Sequence, residues 1–300
     1  MAIIGYENGV GHLADLHTHT TASDGTGSPA SNVRLAKERG LAAVAITDHD
    51  TMAGVEEALA EGEKLGIEVV PGVELSTVAE GNDIHILAYY PERHNSVWLS
   101  RLASLRDLRD RRNEMIVEKL TELTGIPFTM DEVAEIAGVK DKFGQSLPVE
   151  SGKTIGRPHI ADLLVRKGVV STIKEAFDRY LASGAAAYVN PPRLHPFEAI
   201  EWIREAGGTS VIAHPGLYRN DELVETIIQH GIQGIEVYHS DHTEEDEVRY
   251  LQLAERYGLI VTGGSDYHGE RQGKVFHGEL GSRSVDVSVL QQLGKQAKGE

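Results

Sequence analysis

Residues 41–50 read LAAVAITDHD, an apolar run that ends in a cluster of acidic and histidine side chains. An uninterrupted apolar run of this length is typical of a β-strand that is covered on both faces, as in a parallel sheet. Helical patterns lie on either side of it, at residues 28–39 and 53–65. The stretch therefore predicts a buried strand between two helices, with polar side chains at the point where the strand ends.

Strand and helix patterns alternate along much of the chain. Apolar runs predict seven strands, at residues 14–18, 41–47, 69–73, 84–89, 210–214, 234–238 and 259–263. Helical patterns separate most of them, and the later ones lie at residues 196–206, 221–230 and 244–257. Strands that alternate with helices predict an α/β fold built on a parallel barrel or a barrel-like sheet.

The middle of the chain departs from this alternation. Residues 98–188 show only helical spacing, with apolar positions such as Leu102 and Leu105 set among many charges. We therefore predict a barrel domain formed by residues 1–97 and 189–300, interrupted by a helical insertion subdomain at residues 98–188. The alternative is that these helices are crossover connections of the barrel itself.

The composition narrows the function classes. The 300 residues carry a formal net charge of −17 and include 14 histidines and no cysteine. Without cysteine, the chain cannot use disulfides, thiolate catalysis or cysteine-bound zinc and iron–sulfur clusters. The negative charge argues against a protein that coats long duplex nucleic acid. Because no membrane-spanning run and no secretory signal pattern is found, we expect a cytoplasmic protein that does not associate with membranes.

Nine histidine and acidic residues lie at or near the ends of the predicted strands. The HTH motif at residues 17–19 presents two imidazoles on one face, because side chains at i and i+2 of a strand point the same way. The carboxyl ends of barrel strands converge on one face, where active sites are built. We therefore expect one common site, made of His17, His19, Asp24, His49, Glu74, His85, His214, Asp266 and His268. The histidines for which we expect only surface exposure or local hydrogen bonds are His12, His94, His195, His230, His242 and His277.

The motifs at these positions resemble those of a known family. The chain carries, in order, HTHTTASDGTGSP, ITDHDT, PGVEL, IHIL, AHPG and GSDYHG. This set resembles the motifs of the polymerase-and-histidinol-phosphatase (PHP) family, and the resemblance covers almost the whole chain. Within the family, the chain is similar to the phosphoesterases that act on nucleoside 3′,5′-bisphosphates and short 5′-phosphorylated oligoribonucleotides. The resemblance implies a distorted seven-stranded, TIM-like (β/α)7 barrel, the PHP fold, with a helical insertion.

The resemblance also implies a set of metal ligands. One divalent ion would be held by His17, His19, Glu74 and Asp266. A second ion, bridged to the first by the shared carboxylate, would be held by Glu74, His85 and His214. A third ion would be held by Asp24, His49 and His268. Nitrogen and carboxylate donors suit Mn, Fe or Zn better than Mg or Ca, so we expect two or three divalent transition metal ions.

The expected activity follows from these metals. Divalent ions lower the pKa of a bridging water, which gives a metal-activated hydroxide, and they offset the charge of the phosphate under attack. The function implied is hydrolysis of a nucleotide phosphomonoester, above all the 3′-phosphate of a nucleoside 3′,5′-bisphosphate. The alternatives within the family are 5′–3′ exoribonuclease action on short RNA and histidinol-phosphate hydrolysis. Those of other classes are an amidohydrolase deaminase and a non-catalytic PHP-like binding module. The expected partner is a small phosphorylated substrate, a nucleotide or a short oligoribonucleotide, and no long duplex.

Three residues are expected to act on the substrate itself. Arg157, in the GRPH motif at residues 156–159, would bind a second phosphate through paired hydrogen bonds, with His159 beside it. His239 ends the sixth predicted strand and would contact phosphate or protonate the leaving oxygen. These assignments rest mainly on the resemblance.

Two further pairs of residues carry weaker signals. Asp48 and Asp50 flank His49 and would either orient its imidazole ring or cap the following helix. Additional candidates for phosphate contacts are Arg271 and Lys274.

Overall fold

The computed structural model describes residues 11–139 and 152–298. The strands of its main sheet are β1 (Leu13–Asp15), β2 (Ala43–Ile46), β3 (Glu68–Ala79), β4 (Asn82–Tyr89), β5 (Thr209–Ile212), β6 (Gly234–His239), β7 (Ile260–Gly264) and β10 (Val285–Asp286). A separate short hairpin consists of β8 (Glu270–Arg271) and β9 (Lys274–Val275). The helices are α1 (Pro29–Glu38), α2 (Val55–Leu65), α3 (Ser96–Thr124), α4 (Met130–Ile136), α5 (Arg157–Arg166), α6 (Ile173–Ala176), α7 (Pro196–Glu205), α8 (Asp221–Gln229), α9 (Glu244–Tyr257) and α10 (Val289–Lys298).

The main sheet is a nearly closed barrel. Its eight strands follow the order β10-β1-β2-β3-β4-β5-β6-β7. The barrel closes between β1 and β7. Just after β1, the Leu16 N–H donates to the Gly263 carbonyl of β7 at 3.1 Å, and the His19 N–H donates to the Tyr267 carbonyl at 2.8 Å. The predicted α/β barrel is therefore confirmed. The sheet has one strand more than the seven expected, because the short edge strand β10 pairs antiparallel with β1.

Besides the short edge strand β10, one strand of the barrel, β4, runs against the others. β3 turns directly into β4 at Glu80 and Gly81, and β4 pairs antiparallel with both β3 and β5. Both turn residues have positive φ angles, of 51° and 80°, as tight hairpin turns require. The reversal places the first residues of β4 at the same end of the barrel as the last residues of the parallel strands.

Local sequence signals set the ends of the helices. α1 begins where the Ser28 side chain accepts the Ser31 N–H, with Pro29 in the first turn, as its sequence predicts. α9 begins at a capping box on Thr243 and ends at Gly258, whose φ of 67° favours glycine. Among the described helices, none combines the length and the apolar character that a membrane crossing requires.

Two apolar layers support the barrel and leave one end free. Alternate strand residues, including the small Ala14, Ala43 and Ala45, fill the interior, and Leu293 of α10 packs with them. The Leu293 carbonyl accepts the hydroxyl of Thr209, the first residue of β5, at 2.8 Å. The opposite strand faces pack against the surrounding helices. α10 therefore closes the interior of the barrel at the amino ends of the parallel strands.

The helices between β4 and β5 have an apolar cluster of their own. It includes Leu120 of α3, Val133 of α4 and Ile160 of α5, all fully buried. The first half of α3 packs instead into the barrel core through Trp98 and Leu102. The helices thus have a separate core, but α3 is shared, and the division of the chain into a barrel domain and a subdomain at residues 98–188 stays a prediction.

Replacing Leu120 by alanine should lower the free energy of unfolding by about 2–5 kcal/mol, because it leaves a cavity in this cluster. Leu123 lies on the same helix with 51% of its surface exposed, so Leu123→Ala is the matched control, with an expected change of about 0.5 kcal/mol or less. Denaturant unfolding followed by circular dichroism measures both. If the helical segment is a separate unit, Leu120→Ala should shift one of two transitions. A single transition that shifts as a whole would contradict the separate subdomain.

Candidate metal centre

The nine predicted ligands come together at the carboxyl ends of the parallel strands. His17 and His19 directly follow β1, and a parallel bridge between Thr18 and Tyr267 fixes them beside the end of β7. A second parallel bridge joins His49, after β2, to Glu74 of β3. The predicted ligands that follow β5 and β7 are His214, Asp266 and His268.

Two of the nine reach the site differently from the prediction. Glu74 lies in the middle of β3, because this strand continues to Ala79 rather than ending where the apolar run ends. His85 lies near the start of β4, not at a carboxyl end, and it faces the site only because β4 runs antiparallel.

Four side chains converge tightly, those of His17, His19, Glu74 and Asp266. Glu74 Oε2 lies 3.3 Å from His17 Nε2 and 3.1 Å from His19 Nε2. Asp266 Oδ1 lies 3.4 Å and 3.1 Å from the same two nitrogen atoms. Each of these four atoms is buried and lacks a hydrogen-bond partner among the described residues. Together they form a tight group of potential ligand atoms, all within 4.8 Å of one another.

The second oxygen of Glu74 faces two other imidazoles. Glu74 Oε1 lies 2.7 Å from His85 Nδ1 and 3.0 Å from His214 Nε2. His49 also approaches this carboxylate, with its Nδ1 3.0 Å from Oε2. Glu74 therefore has one oxygen on each of two adjoining groups, as a bridging carboxylate would.

The third group surrounds Asp24. Asp24 Oδ1 lies 3.4 Å from His268 Nε2, and Oδ2 lies 3.8 Å from His49 Nε2. His19 also belongs to this group, whose ligand atoms all lie within 4.8 Å of one another. Buried nitrogen and carboxylate oxygen atoms without other partners are the chemistry that a divalent transition metal needs, so the residues present fit such ions.

Electrostatics support the same conclusion. Burial raises the pKa of Glu74, but His85, His49 and His17 lower it well below its ordinary value. Burial lowers the pKa of His49 and of His214 to about 4, which leaves these rings neutral with a free lone pair. For His19, Asp266 and Glu74 outweigh the effect of burial and raise the pKa to about 10. A proton on His19 thus balances buried carboxylate charge, which is the charge that a bound cation would supply.

The backbone at the site adopts uncommon conformations. His214 has a φ of 27° and Asp266 a φ of 53°. Residues other than glycine rarely adopt positive φ angles, and those that do cluster at functional sites. Gly264, at the end of β7, allows the close approach to β1, because a Cβ atom there would lie 2.4 Å from the His17 backbone nitrogen.

Sequence reasoning missed Glu236, a buried carboxylate that contacts two of the predicted ligands. It accepts the His214 N–H at 2.8 Å and lies 3.1 Å from His17 Nδ1. A carboxylate on the outer nitrogen of a ligand imidazole fixes its orientation and tautomer. The acidic residue in the apolar run GIEVYH was the available signal, since an acid inside a buried strand needs a polar partner.

The flanking aspartates do not act as predicted. Asp48 accepts the Thr20 N–H at 2.7 Å and the Ser23 hydroxyl at 2.6 Å, so it orders the loop after β1. Asp50 accepts two hydrogen bonds from the Arg109 guanidinium, at 2.7 and 3.0 Å. Both carboxylates are therefore occupied by other partners, and neither orients His49 or caps α2.

A cavity of about 260 Å³ opens onto the cluster. One part of its wall is made of predicted ligands, including Asp24, His49, Glu74, His85 and Asp266. The other part is strongly basic and consists of Arg109, Arg112, Arg157 and Arg193, which we call the arginine group. The volume lies just below the range of about 300–1,000 Å³ that is common for small-molecule sites, which suits a small ligand.

The sequence and the fold match those of a known family. The family model of the PHP domain matches residues 15–185. The chain belongs to the PHP family. Its relatives are named as hydrolases and as a metal-dependent phosphoesterase, and this PHP protein is likewise a metal-dependent phosphoesterase.

Relatives of this PHP enzyme include several hydrolases. It is 33% identical over 263 residues to the 5′–3′ exoribonuclease Rnm of Escherichia coli, covering 85% of each chain. It is 33% identical over 264 residues to the 3′,5′-nucleoside bisphosphate phosphatase of Chromobacterium violaceum, covering 86% of this chain and 88% of the relative. A candidate metal-dependent phosphoesterase from Bifidobacterium adolescentis, 37% identical, superposes with a TM-score of 0.82 over 94% of this chain and 96% of the other.

The three residues predicted to act on substrate have different surroundings in the PHP enzyme. Arg157 lines the cavity, but its guanidinium pairs with Asp83 at 2.6 Å. His159 is buried and does not line the cavity, because its Nδ1 accepts the Gly156 N–H at the start of α5. His239 is fully buried behind the predicted ligands, with its Nε2 3.4 Å from Asp266 Oδ2. His159 and His239 thus contact other residues of the protein, and their action on a substrate stays a prediction.

His277, expected to be unrelated to the site, lines the cavity instead. Its Nδ1 lies 2.5 Å from Asp241 Oδ2, and its Nε2 lies 3.6 Å from Asp266 Oδ2. His195 and His242 do make the local hydrogen bonds expected of them, to the Phe197 and Gly216 N–H groups. The sequence around His277 carries no strand pattern, so nothing pointed to its approach.

The two weaker phosphate candidates lie on the β8–β9 hairpin. The Arg271 guanidinium pairs with Asp162 of α5 and donates to the Asp24 carbonyl at 2.6 Å. It is therefore occupied by the protein itself and does not line the cavity.

Proposed function

We propose that this PHP enzyme removes the 3′-phosphate of nucleoside 3′,5′-bisphosphates, with two or three Mn, Fe or Zn ions bound by the nine predicted ligands. The observation that carries the proposal is the pairing, in one small cavity, of the carboxylate–imidazole cluster with the arginine group. The cluster would take the phosphate that is cleaved, and the arginine group a second phosphate that is not.

The arginine group is short of negative partners. Arg109 pairs with Asp50 and donates to the Ser76 hydroxyl. Arg157 and Arg193 share the single carboxylate of Asp83. Burial raises the pKa of Asp83, but these two arginines lower it well below its ordinary value, so it stays ionised. Two guanidinium groups on one carboxylate leave an excess of positive charge.

Arg112 adds a buried charge, and no carboxylate of the described residues pairs with it. It is 3% exposed, its Nε has no hydrogen-bond partner among the described residues, and its Nη2 donates to Asn113 Oδ1 at 3.0 Å. Burial and the charges of Arg157 and Arg109 lower its pKa well below the ordinary value. A buried unpaired charge is costly, so a phosphate bound here would relieve the repulsion while gaining charge-assisted hydrogen bonds.

The two anion sites are close together. Asp83, which holds two of the arginines, and His85, which contacts Glu74, lie two residues apart on β4 and point to the same face. The separation along the strand is about 7 Å. A substrate with two phosphates on one ribose therefore matches the cavity better than a monophosphate does. Bound divalent ions would supply hydroxide at neutral pH and offset charge on the phosphate that is cleaved.

Arg112→Ala should reduce the preference for a bisphosphate over a monophosphate by about 10- to 100-fold, the equivalent of about 1.5–3 kcal/mol for a charged hydrogen bond. The measurement is kcat/KM for a nucleoside 3′,5′-bisphosphate and for the matching 3′-monophosphate. Arg111→Ala is the control, because this neighbouring arginine on α3 is exposed. Arg112→Lys should recover part of the preference. If the native enzyme shows no preference, or if Arg112→Ala slows both substrates equally, the second phosphate site is wrong.

The same assay distinguishes the alternative function. The relative in Escherichia coli is named a 5′–3′ exoribonuclease. Short RNA with a 5′-phosphate therefore belongs in the substrate panel. Release of 5′-terminal nucleotides with higher kcat/KM than bisphosphate hydrolysis would favour that function, with the arginine group holding a phosphate of the RNA.

A further inference from the structure

A short stretch of the helical segment crosses one of the three ligand groups. Residues 152–159, which end in the first turn of α5, contact the loop that carries Asp24 and the end of β2 that carries His49. We call this stretch the clamp segment. Its contacts fall on the group around Asp24.

Hydrogen bonds from the clamp segment hold both ligand-bearing backbones. The Thr154 N–H donates to the Ala22 carbonyl at 2.8 Å, and the Thr154 hydroxyl donates to the His49 carbonyl at 2.7 Å. The Thr51 hydroxyl donates to the Gly152 carbonyl at 2.6 Å. Thr154 is 3% exposed, so these bonds are made away from water. One threonine thereby joins the loop before Asp24 to the residue that bears the His49 imidazole.

The backbone of Gly156 lies directly against the Asp24 side chain. A Cβ atom at residue 156 would lie 2.5 Å from Asp24 Oδ2, so only glycine leaves the carboxylate in place. From the other side, Arg271 donates to the Asp24 carbonyl and pairs with Asp162 of α5. The position of the Asp24 carboxylate thus depends on the helical segment.

The other ligand groups have a different support. His17 and His214 are held by Glu236, which belongs to strand β6 of the barrel. Glu74 and His85 lie within the paired strands β3 and β4. Among the described contacts of these four residues, none comes from the clamp segment.

We propose that the clamp segment is a positioning element for the cation held by His19, Asp24, His49 and His268. Cation binding at that group then requires the helical segment, whereas binding around Glu74 retains His17, His85 and His214, which the barrel holds. This inference rests on the metal binding proposed above. The change of a residue that orients a ligand commonly weakens metal affinity about 10- to 100-fold, and we expect that loss at one class of site only.

The experiment compares Mn²⁺ binding by the 300-residue chain and four variants, using equilibrium dialysis with metal analysis. Thr154→Val removes the hydroxyl that bonds to His49, and Gly156→Ala places a methyl group against Asp24. Thr154→Ser keeps the hydroxyl and should bind as the native protein does. Gly294→Ala is the glycine control, because an added Cβ there meets no atom within 4 Å.

The expected result is the weakening of one class of Mn²⁺ site by about 10- to 100-fold in Thr154→Val and Gly156→Ala, with the remaining sites unchanged. In Thr154→Val the chelated protein should keep its fold with a slightly lower melting temperature, because one buried hydrogen bond is lost. If the Mn²⁺ affinity of all sites falls equally, or if no site loses affinity, the clamp segment is not a positioning element for that group. If Gly156→Ala does not fold, Thr154→Val decides alone. A native protein that binds no Mn²⁺, Fe²⁺ or Zn²⁺ at all would instead refute the proposed function.

Discussion

The Glu74→Gln variant should keep its fold and lose activity by about hundredfold or more, because it disturbs the ligands that would generate hydroxide. Both carboxylate oxygens are in use, Oε2 towards His17 and His19 and Oε1 towards His85 and His214. An amide has only one oxygen, so it can serve one group and must turn an NH₂ towards the other. The measurements are kcat on a nucleoside bisphosphate and the metal content of the purified protein.

Two comparisons sharpen this test. Glu68→Gln makes the same change at an exposed position of the same strand and should leave both measurements unaltered. Asp24→Asn should be less damaging than Glu74→Gln, because Asp24 belongs to one group of ligands and Glu74 to two. Native metal content and native turnover in Glu74→Gln would rule out the bridging role.

The parts of the site that the sequence predicts are those that follow directly from strand ends. His17, His49 and Asp266 each come just after an apolar run, and the carboxyl ends of parallel strands must meet on one face of a barrel. The same rule places His214 and His268. No tertiary knowledge is needed for these residues, because the position of the strand already determines the position of its last side chains.

Strand direction is not contained in the same pattern. IHIL has the apolar character of a strand but nothing in it distinguishes parallel from antiparallel pairing, which depends on the two-residue turn at Glu80 and Gly81. The turn also explains why β3 is longer than its apolar run, since each residue from 72 to 79 has a partner on β4. The hairpin places His85 at the site through an antiparallel strand, which the sequence did not predict.

The arginine group could not be predicted from the sequence, for a different reason. α3 is rich in charged residues on all sides, and only its packing shows that Arg109 and Arg112 are buried while Arg111 is exposed. Resemblance pointed to Arg157, but the contact with Asp83 appears only when β4 and α5 are brought together. The role of a residue whose partners are distant in the sequence becomes visible only in the folded structure.

Removal of the metal ions should abolish hydrolysis and lower the melting temperature. Three carboxylates, Asp24, Glu74 and Asp266, are buried beside imidazoles whose ligand atoms largely lack other partners. A cation that binds only the folded protein stabilises it by about 2.7 kcal/mol at a free concentration of one hundred times its Kd. The melting temperature of chelated protein should therefore rise steadily as Mn²⁺, Fe²⁺ or Zn²⁺ is added back, together with activity.

The controls for this last prediction test the donor chemistry. Mg²⁺ and Ca²⁺ prefer all-oxygen ligands, so at equal concentration they should restore less activity and less stability than Mn²⁺. Glu74→Gln should show a smaller rise in melting temperature with Mn²⁺ than the native protein, because it loses a ligand of two groups. Thermal melts and steady-state assays on the same metal-analysed samples measure both effects. Full activity in protein shown to contain no metal would end the proposed mechanism, because the cluster would then have no cation to bind the phosphate.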